Sequence, residues 1–460
     1  MRRSASVLAA VVALTALSGC GDNGKNDTGN SGRAPGPEAL KAAKGPVTVT
    51  LWHGLGDTNA VALQKLVDRF NAQHRGKIEV KAVYQGQYPD VLAKYTAAIR
   101  DKSTPSLLLS YDISTGFLHD AGQTVPAQDL AEANPGTLSL DDIRPAARNY
   151  YSAQGKLMAV PFNTSMPMLY VNDDLLKKAG LPANTPLNTL DQVVAAAKTV
   201  HRKVPKAGGL VQPFDTWWIE QLTAAAGVPY CGPDNGRKGS TASSVKLTSP
   251  QQRKAIGAVS DLYTSGAGLD TGEDGSNAVT AFQQGKVAMM FNSSGAAGKI
   301  KEGADFPYRA LPYPLSGPAA TSGPVVGGAA LWVNGPGHGA AEQAASWQVA
   351  AFLASPASQE EFSRATGYAP INKKVEALPG QQKTLAARPD LKAVIDQFNK
   401  TPATTAAAGC LTGAMPTVRA DVLGPIQSAF AGKTPLDTAL KNAESAANRD
   451  IDRYREQAGQ

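Results

Sequence analysis

Val47-Thr48-Val49-Thr50-Leu51-Trp52, closed by His53-Gly54, is the stretch on which the fold reading turns. Four β-branched residues followed by Leu and Trp, stopped by a glycine, have the composition of a buried strand. Directly after it, Ala60, Leu63, Leu66, Val67 and Phe70 recur at three- and four-residue steps, the spacing of one helical face. The same alternation follows. Ile78 to Val83 reads as a strand, Tyr84 to Tyr88 as a Tyr/Gly turn, and the segment through Leu92 and Ile99 as a helix. After Pro105, Leu107-Leu108-Leu109 reads as another buried strand. Strands alternating with helices predict a parallel sheet with crossover helices.

Further along, Val160-Pro161-Phe162-Asn163-Thr164 leads into an apolar strand, Met166 to Val171. A helix at Asp173 to Ala179 is ended by Gly180, with Pro182 beyond. Helical patterns also cover Asp191 to Pro205, Thr216 to Ala226 and Gln251 to Tyr263. Cys231 to Ser244 is loop-like, Val287 to Met290 and Gly327 to Val333 are strands, and three or more helices follow Ala341. No internal repeat is present. A body of this size exceeds what one hydrophobic core organises, so two lobes are expected.

Upstream lies a different kind of segment. Arg2 and Arg3 precede an apolar run from Val7 to Leu17, too short for a bilayer-spanning helix of roughly twenty residues. Leu17-Ser18-Gly19-Cys20 then matches the lipobox pattern of bacterial lipoproteins, which predicts a signal peptide over 1–19 and lipidation of Cys20. Residues 20–46 are mostly Gly, Asn, Ser, Pro and Lys, and are expected to form a flexible tether spanning on the order of 25–30 Å. The chain should be exported and held at the outer face of a membrane.

Export bears on the cysteines. With Cys20 acylated, only Cys231 and Cys410 remain, and an oxidising compartment favours pairing them. Two free buried thiols are the alternative. The formal charge of +7 includes Arg2 and Arg3, and no Lys/Arg cluster of the kind nucleic-acid binders carry stands out. Catalytic signatures are missing too. His53, His74, His119, His201 and His338 are scattered without a metal-binding spacing, and there is no G-x-S-x-G elbow. Gly295 to Lys299 is too short for a phosphate-binding loop, and Asp270 to Gly275 lacks the acidic positions of a calcium loop and reads as a turn. No cofactor or metal is expected.

Seven short segments, in order, carry a resemblance. They are Leu51-Trp52-His53, Arg69-Phe70-Asn71-Ala72, Tyr84-Gln85-Gly86-Gln87-Tyr88, Pro161-Phe162-Asn163-Thr164-Ser165, Gly327 to Val333, Thr366-Gly367-Tyr368-Ala369-Pro370-Ile371 and Gly413 to Arg419. Together they resemble the extracellular solute-binding proteins of ABC importers, in the large carbohydrate-type family. Within it the likeness is nearest to the glycerol-3-phosphate-binding components. The resemblance implies an α/β, two-lobed periplasmic-binding-protein fold of type II, with a hinge and a ligand cleft between lobes. We expect 47–158 plus 295–345 to form one lobe and 159–294 plus 346–460 the other.

The family's ligand contacts carry over at matching positions. Tyr88 would donate a hydroxyl at the rim, and Asp112, where relatives have Glu, would accept from glycerol hydroxyls. Ser165, Ser293, Gly328, Tyr368 and Arg419 would complete the shell. Trp217 and Trp218 correspond to an aromatic pair that packs on the glycerol carbons, although here they are adjacent rather than two residues apart. Phe214 could share that role. Chemistry agrees with this set: a phosphate wants the planar fork of an arginine, Arg419, and backbone N–H groups such as those of Asn292-Ser293-Ser294-Gly295.

The resemblance therefore implies a monomeric, lipid-anchored receptor, not an enzyme, which hands glycerol 3-phosphate or a glycerophosphodiester to membrane permease subunits. The same architecture with a neutral oligosaccharide as ligand is the first alternative. The shorter carboxylate of Asp112 leaves room for a bulkier head group. A secreted envelope hydrolase is the alternative of another class, and it requires a nucleophile beside a base.

Overall fold

The computed structural model describes residues 34–238, 241–319 and 321–459. The expected signal peptide, Cys20 and the first part of the tether lie outside the described residues. Two sheets organise the chain. The first runs Ile78–Tyr84, Val47–His53, Leu107–Tyr111, Gly327–Asn334 and Thr124–Val125, with Val160–Ser165 also paired to Gly327–Asn334. The second runs Gly268–Leu269, Gly208–Val211, Val287–Ser293, Pro167–Asn172 and Tyr308–Pro312.

The opening strand behaves as its sequence requires. Val49, Leu51 and His53 turn inward, and the helix Asp57–Gln73 lays Leu63, Leu66, Val67 and Phe70 into the same core. Both sheets are mixed rather than purely parallel. Val47–His53 pairs in parallel with both neighbours, but Gly327–Asn334 runs antiparallel to Leu107–Tyr111. In the second sheet Pro167–Asn172 is antiparallel to Val287–Ser293. The reason is topological: these strands enter their sheet from the other lobe, so no crossover helix fixes their direction.

Chain crossings also fall elsewhere than expected. Val160–Ser165 belongs to the first sheet, and the chain passes to the second at Met166. Tyr308–Pro312 pairs with Pro167–Asn172 in the second sheet, not the first lobe. The helices Ala340–Leu353 and Pro356–Thr366 pack on the first lobe's Val47–His53 strand and Asp57–Gln73 helix, whereas 346–460 was expected wholly in the second. Strand and helix periodicity reports burial, not which sheet does the burying.

Part of the expected tether is docked rather than free. Pro37–Lys41 forms a short helix against Ala340–Leu353, with Leu40 and Ala34 packed on the core. The Asn134 side-chain amide donates to the Pro35 carbonyl at 2.9 Å. A few apolar residues in a polar stretch are enough to dock it once a hydrophobic face lies within reach. Among the described residues, no helix is long and apolar enough to cross a membrane.

Candidate functional site

Most of the expected ligand residues, though not Trp218 or Ser293, lie where the two lobes meet, and they separate into two groups. The first is uncharged. Tyr88 opens the helix Tyr88–Arg100, whose start is fixed by a capping box between Gln87 and Asp90. Its ring stacks on Tyr111 at 5.6 Å, and its hydroxyl accepts a hydrogen bond from the Asn163 amide at 2.8 Å. The Tyr368 hydroxyl faces both Tyr88 and Asn163. Gly295 admits the Tyr368 ring, since a Cβ there would come within 2.7 Å of Cζ. Burial pushes the hydroxyls of Tyr88, Tyr111 and Tyr368 up, so all three remain protonated donors.

Trp217 reaches this group from the opposite lobe. A Cβ on Gly327 would meet its Cζ2 at 2.8 Å and the Ser165 hydroxyl at 2.9 Å, so the indole lies on Gly327 beside Ser165. Gly328 has φ +97° and a Cβ there would strike the Asn163 carbonyl at 1.9 Å, so close strand approach accounts for this glycine. Trp217 Nε1 and Asn163 Oδ1 are buried and have no partner within the protein. They are the polar atoms a hydroxylated ligand could satisfy without displacing anything.

Trp218 corrects the expected aromatic pair. Its side chain is buried in the second lobe's core, against Phe291 and Tyr313. Phe214 likewise packs on Tyr263 and Phe430. Adjacent residues on a helix point about 100° apart, so Trp217 and Trp218 cannot share a face. One turn beyond Trp217, on its own face, stands Glu220.

The backbone cradle expected at 292–295 is already used. The N–H groups of Ser293, Ser294 and Gly295 donate to Asn292 Oδ1, the Met166 carbonyl and Ser293 Oγ at 2.8, 2.8 and 3.1 Å. Ser293 acts here as the cap of the turn Ser294–Ala296.

The second group is charged. Arg419, on the helix Met415–Phe430, donates through Nη2 to Asp112 Oδ2 at 2.7 Å and through Nε to Glu220 Oε1 at 2.5 Å. A second bond, Nη2 to Glu220 Oε2 at 3.1 Å, makes the Glu220 contact bidentate. Asp112 and Glu220 are 4% and 1% exposed, so this is a buried triad with one more carboxylate than cation. The Asp112 contact crosses between lobes.

Burial alone would lower the Arg419 pKa, but Asp112 and Glu220 more than reverse it. Burial raises Glu220, only partly opposed by Arg419. Nearby Asp215 accepts from the Trp217 N–H at 2.9 Å. Asp215 keeps an exposed side chain, but the protein walls around it, with Glu220 and Asp112 adding to their effect against the pull of Arg419, push its pKa up to about 6. The buried Tyr150 and Tyr151 hydroxyls near Asp112 have no partner in the protein.

Glu220, Asp215, Tyr111, Tyr150 and Tyr151 were not singled out from sequence. Glu220 had a signal: it is the one charged residue in the apolar helix Trp217–Ala225, one turn from a candidate aromatic.

Elsewhere, Cys231 and Cys410 form a disulfide with Cα atoms 5.7 Å apart. Neighbouring bonds from the Asn235 amide to the Thr405 carbonyl and from the Leu411 N–H to the Asn235 carbonyl stitch the same two loops. A second contact between lobes joins the Tyr454 hydroxyl to Asp120 at 2.8 Å.

Comparison with known proteins places this geometry. Residues 65–393 match the family model described as bacterial extracellular solute-binding protein. The sn-glycerol-3-phosphate-binding periplasmic protein UgpB of Pectobacterium atrosepticum is 28% identical over 417 residues, covering 90% of this chain and 93% of that protein. UgpB of Escherichia coli K12 is 27% identical over 433 residues, covering 92% and 97%. Among solved structures, Mycobacterium tuberculosis UgpB in complex with glycerophosphocholine superposes with a TM-score of 0.74 at 20% identity, covering 89% of this chain and 99% of that one. The cyclic alpha-maltosyl-1,6-maltose binding protein of Arthrobacter globiformis gives 0.71 at 23% identity, covering 89% and 100%. The two-lobed type II binding-protein fold is thus shared across these structures. With most of its length matched, the chain belongs to the bacterial extracellular solute-binding protein family.

Proposed function

We propose that this protein is the solute receptor of an ABC importer, and that its ligand is glycerol 3-phosphate or a glycerophosphodiester. The observation that carries this reading is the uncharged group, in which Tyr88, Asn163, Tyr368 and Trp217 converge from both lobes with two buried polar atoms unpartnered. Hydroxyls of a glycerol moiety suit those atoms, and its C–H face suits the Trp217 indole. Full-length likeness to two glycerol-3-phosphate-binding proteins supports the choice.

Closure of the lobes around the ligand is the functional step, and the closed form is what permease subunits would recognise. A lipid on Cys20 holds the receptor at the outer face of the cell membrane, where it works as a monomer. Chemistry on the ligand has no place in this reading, which rests on membership of a family of solute-binding proteins. A neutral oligosaccharide is the second reading, favoured by the indole and by the surplus of carboxylates.

Incubation of the protein with glycerophosphocholine tests the receptor reading against the hydrolase. The ligand should be retained on the protein through rapid gel filtration and recovered intact. Release of free choline or glycerol 3-phosphate would overturn it.

A further inference from the structure

Arg419 is the cation a phosphate would need, and its five N–H groups can be counted. Nε–H goes to Glu220, the two Nη2–H groups go to Glu220 and Asp112, and Nη1 reaches Asp112 at 3.5 Å. One Nη1–H is left. A phosphate monoester therefore cannot take a two-pronged grip without displacing a carboxylate, and displacing Glu220 would strand a charge that is 1% exposed. Arg237, which lies over the Tyr150 ring, keeps an unpartnered Nη2, but that atom is buried and the rest of the guanidinium is held by backbone carbonyls. Its Nε and Nη1 are spent on the carbonyls of Gly409, Asn149, Tyr150 and Ser152. The N–H groups at 293–295 are spent as well.

We infer that Glu220 sets the ligand charge: by occupying one edge of Arg419 it makes the cleft select a phosphodiester monoanion over a phosphate monoester dianion. Resting on the proposed glycerol-phosphate reading, this inference narrows it to one class. A diester needs only one donor at its single charge and meets less repulsion from a triad of net charge −1. A cationic group on its far side would be drawn toward the surplus carboxylate.

The test is titration of the full-length protein in detergent, at pH 7.5, with glycerol 3-phosphate, glycerophosphocholine and maltose. Wild type and Glu220→Gln are compared, with Glu220→Met as a second variant of similar volume in case Gln fails to fold. Freed from Glu220, Arg419 should bind glycerol 3-phosphate at least tenfold tighter, while glycerophosphocholine changes by less than threefold and maltose not at all. Unchanged or weaker glycerol 3-phosphate binding in a folded variant overturns the inference. The broader reading fails separately: wild type would then bind neither phosphate. In that case a gain of glycerol 3-phosphate binding in Glu220→Gln still upholds the role of Glu220, and no gain removes both.

Discussion

At one end of the cleft, Tyr88, Asn163, Tyr368 and Trp217 meet as neutral groups with polar atoms to spare; at the other, Asp112, Glu220 and Arg419 satisfy one another. A ligand entering the first end gains hydrogen bonds at no exchange cost, whereas at the second it must compete with protein carboxylates in a buried setting. On the proposed reading, recognition of hydroxyls and recognition of charge would thus be separated. The charged end ties the lobes together through the Arg419–Asp112 pair, and a ligand contact there would come second.

Removing Arg419 is the hardest blow to that contrast. Arg419→Ala leaves Asp112 and Glu220 buried and unpaired, and should lower the unfolding free energy by about 3–5 kcal/mol. Urea denaturation followed by circular dichroism reads this directly. A loss below about 1 kcal/mol would mean the triad behaves like a surface pair. Tyr368→Phe, at the neutral end, should cost roughly 1 kcal/mol or less in the same experiment.

Affinity should respond the other way round. Trp217→Ala should weaken any ligand by about 2 kcal/mol, near thirtyfold, as for a central aromatic contact. Trp218→Phe should leave affinity within roughly threefold while lowering stability, because Trp218 is core. Fluorescence-independent titration of both variants decides it, and equal effects on affinity would show that both indoles face the cleft.

A smaller effect concerns pH. Asp215 has its pKa raised from 3.8 to about 6, so it takes up a proton more readily in the folded than in the unfolded chain. Its contribution to stability is complete below about pH 3.8 and is lost as pH rises through 6. The same proton removes one negative charge from the cleft. Binding of a glycerophosphodiester, whose own charge is constant there, should tighten roughly three- to tenfold from pH 7.5 to 5, with a midpoint near 6. Asp215→Asn should flatten the profile. A profile that survives this substitution assigns it to another group.

The same contrast explains what could be read in the sequence. Neutral-end residues sit in contiguous segments, such as Tyr84 to Tyr88 and Pro161 to Ser165, where strand ends and turns are local properties. Their lobe membership was not local, and the sheet of Tyr308–Pro312 depends on pairing with a strand more than a hundred residues earlier. The charged end is worse placed for reading, since positions 112, 220 and 419 meet only in the folded chain. Asp112 and Arg419 were each legible as polar candidates, but that they face each other was not. Choosing Trp217 over Trp218 likewise needed the phase of one helix relative to the second sheet.

Calorimetric titration of the wild-type protein at pH 7.5 bears most directly on the central claim, that the neutral end takes a glycerol moiety while the self-paired charged end tolerates only a low charge. Glycerophosphocholine should bind most tightly, glycerol 3-phosphate at least tenfold more weakly, and maltose weaker than either. Maltose binding tighter than both phosphates, or glycerol 3-phosphate tenfold tighter than the diester, would contradict it.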